Sequence, residues 1–367
     1  MRVAVLNQVG GPLEVEEVPI PKPKQGEVLL KVAACGVCHT DLHVMKGEVA
    51  FPTPCVLGHE ISGVVAEVGP GVEGLAPGQR VVASFVMPCG QCYYCVRGEE
   101  DLCEKFFAFN RLKGVLYDGT TRLFRKDGTP LWMYSMGGLA EYAVVPATDV
   151  FPLPEGLPLE EAAILGCALF TALGAVRTAG LEGGEAVAVV ATGGVGLGII
   201  QLARAFGAYP IVAVDIKSGK LEKAKALGAT HAFTPAEASQ AVRDLTGGRG
   251  VDVAFEALGH PETFRLALDL LRDGGRMVPV GIAPQGVEAG VEITRLVRRK
   301  LRILGSYGAR PRRDMPLLLK LAQAGAIRVG AEVTERHPLE EADLAYRRLD
   351  RGEVVGRALV TMGGGHA

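Results

Sequence analysis

Asparagine is nearly missing from this sequence: Asn7 and Asn110 are the only two in 367 residues. A shortage of thermolabile amides fits a thermophile, and a GC-rich genome gives the same bias. Long hydrophobic runs are missing too. No uninterrupted apolar stretch reaches the ~18 residues of a membrane span, so no membrane partner is expected. Neither charge sign dominates: 39 Lys and Arg stand against 41 Asp and Glu, a net charge of -2. That balance gives no general electrostatic drive towards nucleic acid or an anionic surface. The opening MRVAVLNQ has no basic stretch followed by a long apolar core, which leaves a cytoplasmic location as the expectation.

Glycine, by contrast, is abundant, with 49 residues spread between apolar runs. Many tight turns between short elements would use them. The length predicts two domains. Residues 1–150 read as short strands, with candidates at 3–6, 27–34, 62–68, 80–85 and 140–145. Such spacing suggests an antiparallel, barrel-like domain. Between Cys103 and Gly137 a polar stretch without period reads as a long surface excursion, with Trp132 and Tyr134 either at an interface or in a substrate lid. Near 155 the rhythm changes. A helix is predicted over 159–176. Apolar strands at 186–191, 211–214, 251–256, 276–280 and 301–304 then alternate with helices at 195–206, 219–227 and 262–272. The class this implies is α/β, with a doubly wound parallel sheet covered on both faces.

Strand AVAVVA runs into Gly193, Gly194, Val195 and Gly196 and on into a helix. In that setting a glycine turn lets a pyrophosphate approach the backbone and the free N–H groups of a helix start. Asp215 ends the next strand, at the spacing expected of a carboxylate that holds the ribose hydroxyls and repels a 2′-phosphate, which favours NAD. Ala191 stands where a strict glycine pattern has its first glycine.

Cysteine carries the other signal. Cys89, Cys92, Cys95 and Cys103 have the spacing C-x2-C-x2-C-x7-C. Two-residue gaps let thiolates converge on one ion, and four thiolates close a tetrahedral structural zinc site, with an iron–sulfur cluster as the alternative. Cys38, His59 and Cys167 are scattered, and no spacing rule joins them. Cys38 also forms a C-x2-C pair with Cys35, so a redox dithiol is a rival reading. Cys35 and Cys55 read as small core residues.

Taken together, CGVCHTDLH, the GHE at 58–60, the four-cysteine lobe, the GC at 166–167, and TGGVGLG followed by Asp215 resemble the zinc-dependent medium-chain alcohol dehydrogenases, in the family's order and over nearly the whole chain. The resemblance implies a GroES-like β-barrel catalytic domain at 1–168 and 307–367 and a Rossmann NAD-binding domain at 169–306. It implies two zincs per chain, one structural and one catalytic, the latter on Cys38, His59 and Cys167. Asp41 would orient His59, and Glu60 would sit behind the metal. Thr40 would take the alcohol proton and pass it by way of the nicotinamide ribose to His43. His39 and Arg357 match positions that contact the pyrophosphate, Val280 to Ile282 match nicotinamide contacts, and Phe85 matches the substrate wall. The implied activity is hydride transfer between a primary or secondary alcohol and NAD, giving aldehyde or ketone. Polyol, amino-alcohol and thiol-adduct (formaldehyde) oxidation are alternatives within the family. An NAD sensor or a metal-ribbon nucleic-acid module is the rival class; acidic Glu99, Glu100, Asp101 and Glu104 around the cysteine lobe disfavour the second. The apolar segment 291–304 suggests a homo-oligomer, dimer or tetramer, paired through an edge strand.

Overall fold

The computed structural model describes residues 1–363. The chain forms two units: one from 1–170, 310–323 and 333–367, the other from 171–309 and 324–332. The second unit thus takes in 324–332, which the sequence reading had given to the first domain. Buried Gln201 explains the local arrangement, donating to Glu332 Oε1 at 2.7 Å and accepting from Arg328 N at 2.8 Å.

The first unit holds two sheets. The larger has the order Val150–Pro152, Arg80–Ala83, Ile61–Val68, Glu27–Gly36, Arg357–Thr361, Val333–Pro338, and Tyr142–Pro146 also pairs with Glu27–Gly36. All these pairings are antiparallel except the last two strands of the row, which run parallel. The second sheet has the order Leu13–Glu17, Arg2–Leu6, Cys55–Val56, Pro130–Met133, Leu123–Phe124. Strand Glu27–Gly36 lies at the centre of the larger sheet, and Val28, Leu30, Ala34 and Cys35 on it are 0% exposed.

The expected surface excursion is partly internal. It begins with a π-helical turn, Phe106–Arg111, and ends in the hairpin Leu123–Phe124 and Pro130–Met133. Phe106, Leu116, Leu123, Leu131 and Met133 on it are buried. Its apolar residues are spaced for neither a regular helix nor a strand, so periodicity could not find them.

The second unit is a six-stranded parallel sheet in the order His231–Phe233, Ile211–Val214, Val187–Val190, Val251–Glu256, Leu271–Pro279, Arg302–Ile303. The row reads third, second, first, fourth, fifth, sixth along the chain, which is the doubly wound dinucleotide order. Its first two strands along the chain are fully apolar and buried, as a sheet covered on both faces requires. Strand His231–Phe233 and helix Pro235–Leu245 were not read from sequence. The strand is only three residues long, but the helix carries a capping box of Thr234 and Glu237 that was legible.

The predicted helix over 159–176 is broken. A 3-10 turn, Glu161–Gly166, stops at Cys167, and the α-helix Ala168–Ala179 starts after it. By length and composition the combined run Glu161–Ala179 could cross a membrane, contrary to the sequence expectation, but 89% of its most apolar window is buried within the protein.

Candidate metal and dinucleotide sites

Cys38 ends the loop after the central strand and precedes helix His39–Met45. His59 and Glu60 lie just before strand Ile61–Val68, and Cys167 occupies the helix break. The ligand atoms of Cys38, His59, Glu60 and Cys167 all lie within 4.8 Å of one another, and all four residues are buried. Gly36 makes room for this: a Cβ there would meet the Glu60 carboxylate at 1.8 Å.

The donor set fits zinc. Hydrogen bonding from Cys167, helped by Arg357 and His59, holds the Cys38 thiol well below its ordinary range, while the same pairing and burial push Cys167 up. A thiolate is the form that ligates a metal. His59 Nδ1 donates to Asp41 Oδ1 at 3.0 Å, which leaves Nε2 for the cluster. Burial opposes a charge on His59, but Asp41 and Cys38 outweigh it and push the imidazole up to about 10. A cation is thus welcome at that position, and a metal on Nε2 would take the proton's place.

Asp41 is where the resemblance put it, as the carboxylate behind His59. Its other oxygen, Oδ2, accepts from the Tyr346 hydroxyl at 2.8 Å, a partner that no local motif announced. Glu60 is gripped by Arg357, through Nε at 3.1 Å and through Nη2. The resemblance assigns Arg357 to the pyrophosphate; two of its donors go to Glu60, and Arg357 is 4% exposed. Thr40 Oγ1 is 3.7 Å from Cys38 Sγ. His43 Nδ1 is paired with Glu48, another residue the sequence reading missed. His39 is at the exposed start of the same short helix.

Aromatic rings surround His59. The Phe85 centroid is 5.9 Å and the Tyr134 centroid 6.4 Å from the imidazole, both edge-on. Phe51 packs edge-on against Tyr134 at 4.9 Å. The Arg111 guanidinium lies 4.4 Å from the Tyr134 centroid and 5.9 Å from that of Phe85. Phe85 was expected at a substrate wall; Phe51 and Arg111 were not singled out.

Cys89, Cys92, Cys95 and Cys103 bring their sulfurs within 4.8 Å of one another. Cys103 Sγ also accepts from Cys89 N at 3.2 Å. The set is closed by four protein donors and leaves no position for a substrate.

In the second unit, helix Gly194–Ala205 begins directly after the turn that follows strand Val187–Val190. Gly196 is required there, because a Cβ would meet Ala191 O at 2.1 Å. Gly193, with open space at its Cβ position, leaves the cradle clear. Ala191, in place of the usual glycine, holds a left-handed φ of 70°. Asp215 Oδ2 accepts from Thr192 N at 2.8 Å and Thr192 Oγ1 at 3.1 Å, and its Oδ1 accepts from Lys217 N at 3.1 Å. Val190, Val214, Glu256 and Pro279 end their strands in or near register. The glycine turn, Asp215 and Val280 therefore share the carboxyl edge of the sheet, where open parallel sheets bind ligands.

A dinucleotide cradle answers for hydride transfer, and a buried cluster of metal-binding side chains answers for polarising an oxygen; a chain equipped for both is a metal-dependent dehydrogenase. Comparison with known proteins agrees. Residues 24–155 match the alcohol dehydrogenase GroES-like domain and residues 194–324 the zinc-binding dehydrogenase domain. The NDMA-dependent alcohol dehydrogenase of Amycolatopsis methanolica is 36% identical over 360 residues, covering 96% of each chain. An S-(hydroxymethyl)glutathione dehydrogenase of Synechocystis is 35% identical over 364 residues, covering 96% of this chain and 98% of that one. The crystal structure of benzyl alcohol dehydrogenase from Acinetobacter calcoaceticus superposes with a TM-score of 0.91 at 30% identity, covering 99% of both chains. The chain belongs to the zinc-dependent medium-chain alcohol dehydrogenases. It is a zinc-dependent oxidoreductase of alcohols, and zinc and NAD are its cofactors.

Proposed function

We propose that the enzyme interconverts ring-bearing primary or secondary alcohols with their aldehydes or ketones, using NAD. The observation that carries this is the buried convergence of Cys38, His59 and Cys167 within 4.8 Å, with Phe85 and Tyr134 edge-on to His59 and Phe51 edge-on to Tyr134. Cys38, His59 and Cys167 would hold the catalytic zinc, and the four-cysteine lobe the structural one. Zinc at the first site supplies Lewis acidity towards an alcohol oxygen, and NAD supplies a hydride acceptor. Thr40 Oγ1, beside Cys38 Sγ, accepts the alcohol proton, and His43, steadied by Glu48, holds it on its way to solvent. Phe85 and Tyr134 orient the substrate and exclude water. Glu60 and Arg357 keep the charge behind the cluster balanced. Gly193, Gly194, Val195 and Gly196 receive the pyrophosphate, Asp215 the ribose, and Val280 the nicotinamide, with His39 contributing to the pyrophosphate. A cytoplasmic homo-oligomer completes the proposal.

The test is NADH formation across benzylic, aliphatic, polyol and S-hydroxymethyl thiol substrates, before and after removal of metal and after restoring zinc. Benzylic turnover that returns with zinc is expected. A thiol adduct turned over far better would favour the alternative carried by the S-(hydroxymethyl)glutathione dehydrogenase relatives. Folded protein holding two zincs per chain that oxidises none of these would sink the proposal. In the same assay Asp215→Ser should lower the NAD over NADP ratio of kcat/KM at least about tenfold, equivalent to ~1.4 kcal/mol.

A further inference from the structure

Helix Ala342–Asp350 buries Ala342, Ala345, Tyr346 and Leu349, the i, i+3, i+4, i+7 stripe of an amphipathic helix. Ala342, Ala345 and Leu349 are aliphatic packing. Tyr346 is different: it is fully buried, and its hydroxyl donates to Asp41 Oδ2 at 2.8 Å. The two residues are 305 positions apart in the chain. The other Asp41 oxygen accepts from His59 Nδ1 at 3.0 Å and from Gly58 N at 3.3 Å. Asp41 is also fully buried. A buried carboxylate keeps its charge and its orientation only through the donors around it. His59 and Gly58 share one oxygen; Tyr346 donates to the other.

We propose that Tyr346 is a positioning residue for the catalytic metal: its hydroxyl fixes Asp41, Asp41 fixes the His59 ring, and the three together set how firmly the Cys38, His59, Cys167 cluster keeps zinc. The inference rests on the reading of that cluster as the catalytic zinc site. Removing the hydroxyl leaves Asp41 Oδ2 without this donor in a dry environment. The carboxylate is then free to turn, and His59 loses the partner that aims Nε2. Losing a partner of this kind costs about 10–100-fold in metal affinity. Phenylalanine fills the same volume, so the helix stripe stays packed.

The experiment measures zinc release from the purified enzyme to the chromogenic chelator 4-(2-pyridylazo)resorcinol, for wild type, Tyr346→Phe, Asp41→Asn and the double variant. Cys38→Ser assigns the phase belonging to the catalytic cluster, and the four-cysteine lobe serves as an internal control in every sample. The expected result for Tyr346→Phe is an affinity loss of about 10–100-fold at the catalytic cluster and an unchanged four-cysteine phase. In the Asp41→Asn background the second substitution should add little, because the tyrosine acts through that carboxylate. Equal release from wild type and Tyr346→Phe would overturn the inference. So would equal acceleration of both phases, which marks general loosening. If wild type itself holds zinc only in the four-cysteine lobe, the reading of the catalytic cluster fails, and this inference with it; two zincs with an indifferent Tyr346→Phe removes the inference alone.

Discussion

At the scale of single residues, Arg357 shows how a side chain's role depends on what faces it. Its position in the family pattern suggests a phosphate contact, and in the structure it makes a two-pronged pair with Glu60, the guanidinium side chain 5% and the carboxylate 0% exposed. A pair this dry stabilises little by its presence but costs a great deal when halved. Arg357→Met should therefore lower stability by about 3–5 kcal/mol, read as the fall in the denaturant midpoint of the first unit. A variant with both residues made apolar should recover part of that loss. The proposed zinc ligands Cys38, His59 and Cys167 were legible as a set only through the family pattern, since nothing in their spacing makes them neighbours. Tyr346 and Glu48 were not legible. Each acts through one hydrogen bond whose partner depends on packing, although a tyrosine on the buried stripe of a helix does signal that its hydroxyl needs an acceptor.

At the scale of elements, strands and long helices of the second unit follow from apolar pattern, and the exceptions have local causes. Cys167 interrupts a run whose composition is uniformly helical, because the backbone must turn there to deliver a sulfur. The hidden character of the 104–138 segment comes from its fitting around aromatic rings rather than from any period. Arg276, on strand Leu271–Pro279, ties that strand to the end of helix Ala168–Ala179 by donating to Gly180 O at 3.1 Å and to Ala179 O at 2.5 Å, and it pairs with Glu185. Burial alone would push the Glu185 carboxyl up; Arg276 together with the Glu182 N–H outweighs burial and holds it below the ordinary carboxylate range. The folded value lies below the unfolded one, near ~4.3. Stability from the pair is then complete above the unfolded value and is lost as pH falls through the folded value. The thermal midpoint of the second unit should decline below about pH 4.3, and Glu185→Gln should flatten that decline.

At the scale of the whole molecule, both metal clusters belong to the first unit, and the glycine turn with Asp215 belongs to the second. Metal and dinucleotide binding should therefore separate under mutation. Cys95→Ser should halve the zinc content and lower the thermal midpoint while NAD binding, followed by quenching of protein fluorescence, stays largely intact. Loss of NAD binding alongside the zinc would contradict that division. The fold class and the alternation of two architectures were readable because a change from short broken strands to apolar strands with helices is visible along the chain. The excursion of 324–332 into the second unit was not, because it depends on one buried glutamine meeting a glutamate 131 residues away.

The late position of Tyr346 and Arg357 has a bearing on how the enzyme is made. Cys38, His59 and Cys167 leave the ribosome early, but the helix and strand that secure Asp41 and Glu60 emerge only after the entire nucleotide-binding sheet. The 179 residues from Cys167 to Tyr346 take roughly ten to forty seconds to synthesise at about 5–20 residues per second. During that interval the nascent chain offers thiols and an imidazole without their supports, so on the proposed zinc assignment durable capture of the catalytic ion belongs to the finished polypeptide, whereas the four-cysteine lobe, complete by Cys103, is free to load while translation continues.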